Sequence, residues 1–386
     1  MSRSDIIWFS IMVLMVMYAL TKKVIAKKDL KLLGITMVVY LAYVIIRDML
    51  VIGLESDYIL SDIIFFFKYI VLSFLYCVLL REHAIDSIIK VTIHLTIISL
   101  FFYFFQIVGF ADVIYNFSNS LNLPKANGIP GYTNFIIFSF TKGRHDIRNS
   151  GFVWEPGAFG CFLIIVLLFN FFRNKFTFDK NAIILIIAII TTMSTTNYFA
   201  LGLLLFLAYR YRVPKMNFAV LLIIPAFIIL VMTVPFLGDK IAAIYVDDMN
   251  DLNHLKTIRA YSHGDEIPLN RFASMVYLYD NLGANLILGL SNKYDQYINE
   301  KGFIVNISNG IFDFLAKFGI LGLVYLIYGY VKFCKNFLEK NEFIIYSVLV
   351  LLLIGFGEPI MFLPLVLIFI FLPFMSIDFS KLSRKY

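Results

Sequence analysis

Long apolar runs broken by short basic turns organise this chain. A bilayer crossing needs about 20 mostly apolar residues. Runs near that length fall at roughly 5–21, 32–47, 60–80, 89–110, 153–172, 180–194, 196–210, 216–236, 309–330, 342–358 and 360–377. The pattern predicts eleven membrane-spanning helices. The runs at 180–194 and 196–210 are short, and only the polar step Ser194-Thr195-Thr196-Asn197 divides them. They read as a helical hairpin with a polar tip. Residues 1–20 are apolar and are followed, not preceded, by Lys22, Lys23, Lys27, Lys28 and Lys31. A signal peptide has the opposite polarity, so the first run reads as a retained span ending in the cytoplasm.

Basic residues orient the runs. The segments 22–31, 81–90, 173–180, 210–215, 332–340 and 381–385 lie on one side and hold nineteen of the 33 Lys and Arg. The positive-inside rule puts that side in the cytoplasm, with the N-terminus outside and the C-terminus inside. Two long segments, 111–152 and 237–308, fall on the outer side. Their Pro, Gly and aromatic content predicts structured loops. In the second, Phe272, Met275, Val276 and Tyr279 recur at helical spacing, which predicts an amphipathic helix at the membrane surface. No internal repeat is visible.

Composition narrows the class. Of 386 residues 60% are apolar and 15% charged, with 41 Phe and 23 Tyr; mean hydropathy is +0.84. A soluble protein of this make-up would expose large apolar patches. A soluble enzyme, a secreted disulfide scaffold and a disordered chain are therefore excluded. The expected fold is all-α: one polytopic helical bundle over 1–386. The net charge of +7 is explained by lysines and arginines facing anionic lipid, and no nucleic-acid motif accompanies it. Cys77, Cys161 and Cys334 are far apart, with neither metal-ligand nor disulfide spacing.

Candidate chemistry concentrates in the outer loops. The densest polar stretch runs from Lys142 through Arg144, His145, Asp146, Arg148, Asn149, Ser150, Gly151, Trp154 and Glu155 to Pro156 and Gly157. Segment 111–152 carries a net +2 where orientation does not require it. Arginine grips phosphate with a planar fork of donors. Glu155 opens an apolar run, with Pro156 suited to a first helical turn. One reading is helix capping with Trp154 as an interfacial anchor; the other is a lipid-diphosphate or glycan site. Segment 237–308 is net −3, so an anion there needs a specific Arg, and Arg271 is the candidate. His254 and His263 are further titratable groups. Asp313 and Lys317 lie four apart and share a helix face. Asp62 and Lys68 are charges within an apolar run, His94 reads as a packing residue, and Glu358 lies at an outer turn. Asp247, Asp248 and Asp251 are a weak imitation of a metal motif, and no metal or other cofactor is expected.

The stretch Arg148-Asn-Ser-Gly151-Phe-Val-Trp-Glu155-Pro156-Gly157 resembles the Arg, Gly and Glu-Pro segment that precedes a span in O-antigen polymerases and their ligase relatives. The polar step at 194–197 and Arg271 followed by Leu288-Gly289-Leu290 resemble further features of that group. Ser308-Asn309, nine residues, Gly319 and Gly322 are similar to a ligase pattern in which His stands at the first position. Ser308 in place of that His favours a polymerase. The resemblance implies a GT-C-like bundle and a bacterial cytoplasmic-membrane enzyme that joins glycan repeat units carried on undecaprenyl diphosphate. It would be metal-independent, with a flippase and a chain-length regulator as partners. It implies Arg148 and Arg271 at the diphosphate and Glu155 as base. Arg144, His145, Asn149, Gly151, Ser308, Asn309 and Glu358 are the binding candidates. A ligase acting on a lipid or protein acceptor, and a transporter of lipid-linked sugars, are the alternative readings.

Overall fold

The computed structural model describes residues 3–120, 131–134, 137–143, 145–213, 243, 245–250, 252–253, 266–269, 271–291, 304–377 and 379. These residues are predominantly helical. In chain order the described elements are α1 (Arg3–Thr21), α2 (Lys27–Arg47), α3 (Ser56–Phe65), α4 (Leu72–Leu80), α5 (Ala84–Phe105) and α6 (Ala111–Ser120). Then come β1 (Tyr132–Asn134), β2 (Ser139–Thr141), α7 (Pro156–Arg173), α8 (Lys180–Thr191) and α9 (Thr195–Arg212). The last are β3 (Glu266–Leu269), α10 (Arg271–Leu282), β4 (Ile304–Ile307), α11 (Gly310–Cys334), α12 (Asn341–Gly357) and α13 (Pro364–Leu367).

Several of these helices are long and apolar, as a membrane bundle requires. Among the described residues four stretches meet the length and hydropathy of a crossing: Lys27–Ile52, Ser56–Ser118, Pro156–Arg173 and Gly310–Cys334. The apolar run at 216–236 lies outside the described residues. The run at 360–377 is not one long helix but α13 followed by short turns at Ile368–Ile370 and Leu372–Phe374. Pro364 and Pro373 stand in the first turns of two of these short pieces, where the missing N–H of proline is tolerated.

The chain divides into two compact units, each drawn from separated stretches: Met1–Ala84, Gly238–Asn336 and Met361–Asp378 in the first, Ile85–Leu237, Phe337–Ile360 and Phe379–Tyr386 in the second.

In the second unit α7 is central. It is apolar around its whole circumference, which suits a helix enclosed by others, and 89% of it is buried. It packs against α8, α9 and α12. The α8–α9 hairpin turns through Thr192, Met193 and Ser194, with Met193 in the left-handed region at φ 47°. β1 and β2 form an antiparallel pair with Thr133 opposite Phe140, ahead of the segment leading into α7.

In the first unit α2 is peripheral: only 33% of its stretch is buried, and Ile35, Val38, Ile45 and Ile46 are exposed. β3 and β4 pair in parallel, Leu269 beside Ile307. α10 forms where the helical spacing predicts it. Its inward face is Ala273, Ser274, Leu278 and Leu282; Leu278 and Leu282 pack with Ala316 of α11, and Ala273 packs with Leu252 and Leu269. The expected stripe is not the buried face: Phe272, Met275 and Val276 are half-buried and Tyr279 is 70% exposed. α11 is kinked at Gly319 (φ 63°, ψ −176°). The kink meets Gly289, itself at φ 73°. A Cβ on Gly289 would lie 2.6 Å from the Gly319 nitrogen, and one on Gly319 would lie 2.6 Å from the Ile287 carbonyl carbon. Only glycine at both positions permits this backbone contact.

Candidate functional site

Polar groups of the second unit converge on the N-terminal end of α7. Glu155 stands at the N-cap position with extended backbone, Pro156 follows at the first helical position, and the Glu155 side chain makes no capping hydrogen bond. Instead Trp154 Nε1 donates to Glu155 Oε1 at 3.2 Å. Capping therefore does not account for this carboxylate.

A second carboxylate reaches the same turn. Glu358 follows the end of α12 and is 5% exposed. Its carboxyl group occupies the space where a side chain on Gly157 would begin, its Cδ 2.9 Å from that Cβ position. Both carboxylates thus lie at the positive end of the α7 dipole.

The hairpin tip packs on the same turn. Asn197 Nδ2 donates to Gly157 O at 2.9 Å, and Cys161 Sγ donates to Asn197 Oδ1 at 3.1 Å. A Cβ on Gly160 would collide with the Asn197 amide, and one on Gly357 would lie 2.7 Å from Thr196 Cγ2. The glycines at 157, 160 and 357 let α7, α9 and α12 approach closely around this polar group.

Arg148 is half-buried, and its Nε donates to Thr192 O at 3.0 Å. Asn149 is fully buried and its amide serves the protein: Oδ1 accepts from Ser99 Oγ at 2.8 Å and from Gly151 N at 2.9 Å, and Nδ2 donates to Thr191 Oγ1 at 3.0 Å. Gly151 adopts φ 56°, and a Cβ there would lie 2.5 Å from the Phe159 ring. Both residues fix the approach of Arg148 to the hairpin. Gln106, 4% exposed, completes the support. Its Nε2 lies 3.0, 2.8 and 3.2 Å from the carbonyls of His145, Asp146 and Arg148. His145 is half-buried in this turn, and Arg144 lies outside the described residues. Lys142 pairs with Asp112 at 2.6 Å, both exposed; that hydrogen bond lifts its ammonium above the usual lysine range.

In the first unit the structure brings Arg271, Ser308 and Asn309 together. Asn309 Nδ2 donates to Arg271 O at 3.2 Å, and Asn309 Oδ1 accepts from Phe312 N at 3.2 Å, capping α11. Ser308 Oγ donates to Leu269 O at 2.7 Å. Asp248 is buried, and its Oδ2 accepts from Phe272 N at 2.9 Å; it caps α10. Asp251, His254 and His263 lie outside the described residues.

Sequence reasoning missed a buried ionic cluster in the first unit. Arg47 is fully buried between Asp48, at 3.1 Å, and Asp62. Ser291 Oγ donates to Asp62 Oδ1 at 2.9 Å, and Arg47 Nη1 donates to Lys317 O at 3.3 Å, a carbonyl beside the Gly319 kink. Asp48 Oδ2 has no hydrogen-bond partner. The available signal was three charges, Arg47, Asp48 and Asp62, at the facing ends of two consecutive runs. The expected Asp313–Lys317 pair is present at 3.3 Å, whereas His94 is exposed rather than packed.

No protein-family model, curated protein or solved structure matches the chain.

Proposed function

We propose that this protein is a polysaccharide repeat-unit polymerase. In this reading it is an eleven-span protein of the bacterial cytoplasmic membrane, with its N-terminus outside. It transfers a growing glycan from undecaprenyl diphosphate to the next lipid-linked repeat unit at the outer face. The observation that carries the reading is the grouping, in one unit, of Arg148, Glu155 and Glu358 around the α7 start and the hairpin tip.

The chemistry asks for two things. The departing lipid diphosphate gains negative charge as the anomeric bond breaks, and a fixed guanidinium stabilises it. Arg148, held through Nε, presents its guanidinium in a set orientation. The attacking hydroxyl must lose a proton, and Glu155, at the head of α7 and not used as a cap, is the general base. Glu358 is too enclosed to reach a sugar and serves to hold the α7 start. Arg271 receives its diphosphate role from the resemblance alone.

A strain lacking the gene provides the test. Lipid anchors carrying single repeats and no longer chains support a polymerase. Long chains accumulating on the lipid carrier would contradict it.

A further inference from the structure

Within the first unit, an apolar cavity of about 320 Å³ lies between α2 and α11. Its walls are two helical stripes, Thr36, Tyr40 and Tyr43 on α2 and Phe318, Leu321 and Tyr325 on α11. The α2 stripe is about 10 Å long at helical rise. The cavity is clasped at one end, where Tyr43 Oη donates to Leu288 O at 2.5 Å and Arg47 reaches Lys317 O. At the other end Thr36 and Tyr325 line the walls, and Thr36 Oγ1 donates to Leu32 O of its own helix at 3.0 Å. Along its length the cavity opens sideways, since Leu321 and the wall residue Val39 are 53% and 55% exposed.

These features define the occupant. The Tyr40 hydroxyl is spent on Asp62 O at 3.1 Å, as Thr36 and Tyr43 are on their own partners, so the walls offer little to a sugar or a peptide. A helix, at least 10 Å across, does not fit. A single hydrocarbon chain entering from the bilayer does. The charge along the two helices selects its headgroup. Lys332 lies two turns beyond Tyr325 on the same face, and Lys27, Lys28 and Lys31 open α2; all four are exposed. Asp29, among them, is already paired with Arg81 at 2.6 Å. The opposite end is closed by Arg47 between two aspartates. We infer that the groove holds one acyl chain of an anionic phospholipid, from the leaflet that meets these lysines. This site is independent of the proposed transferase reaction.

The test uses the full chain in nanodiscs of phosphatidylcholine with phosphatidylglycerol bearing a diazirine on one acyl chain. Irradiation is expected to label peptides 36–43 and 318–325 above other lipid-facing segments. Leu321→Trp and, from the opposite wall, Val39→Trp should each remove that label while the protein stays folded. Lys28→Gln with Lys332→Gln should lower the preference for phosphatidylglycerol over an equally tagged phosphatidylcholine by roughly tenfold. Label spread evenly over exposed helices would overturn the inference. So would equal labelling by the two lipids, or displacement by an equimolar polyprenyl diphosphate.

Discussion

Gly157→Ala isolates the contact that organises the candidate site. In a helix, alanine in place of glycine ordinarily stabilises by up to about 1 kcal/mol. Here the new methyl would overlap the Glu358 carboxyl group, which is 5% exposed and cannot simply swing into solvent. Overpacking of this kind costs about 1–3 kcal/mol, and moving the carboxylate off the α7 dipole adds up to about 2 kcal/mol. The clash therefore outweighs the propensity gain. The melting temperature in detergent, followed by fluorescence of the two tryptophans, should fall by roughly 2–6 °C. In a Glu358→Ala background the obstruction is gone, and Gly157→Ala should become neutral or stabilising. This change of sign is the diagnostic result. Effects that add within about 0.5 kcal/mol across the double-mutant cycle would refute the proposed contact.

Three further outcomes follow from the packing. Arg47→Met leaves Asp48 and Asp62 buried without their cation, and should destabilise by about 3–5 kcal/mol, seen as lost yield and a lower melting temperature. Gly319→Ala forces a side chain into φ 63° against the Ile287 carbonyl and should cost more than about 1 kcal/mol in the same measurement. Gln106→Leu strips the donors facing the 145–148 carbonyls; a loss of about 1–3 kcal/mol, with Arg148 more accessible to a dicarbonyl reagent, is expected, and unchanged accessibility would count against a supporting role.

Much of the architecture was legible in the sequence because apolar runs and helical spacing are local signals. The existence of the hairpin, the start of α7 at Pro156 and the helix at Arg271–Leu282 all follow from neighbours in the chain, but the hairpin turns at 192–194, and Thr195, Thr196 and Asn197 of the expected tip belong to α9. Pro364 and Pro373 mark the starts of two short pieces within 360–377, but a hydropathy count does not register a missing N–H. What could not be read was pairing across the chain. Nothing near Gly157 announces that Glu358 will lie on it, and nothing near Arg47 announces Asp62. Asn149 and Gly151 stood out as polar or flexible residues beside an arginine. Their neighbours in space, Ser99, Thr191 and the Phe159 ring, reveal that they build the turn carrying it. The glycines at 289 and 319 were noticed as separate motif positions, whereas in the fold they touch.

The central claim is that Arg148 and Glu155 act on a lipid-linked glycan. Its most direct test is polymer formation by purified protein reconstituted with lipid-linked repeat units. Arg148→Ala should lower the rate by about 10²–10³-fold, and Glu155→Gln, which keeps the shape but loses the base, should stop growth at single repeats. Full-length ladders from both variants, folded and at wild-type rate, would contradict the account.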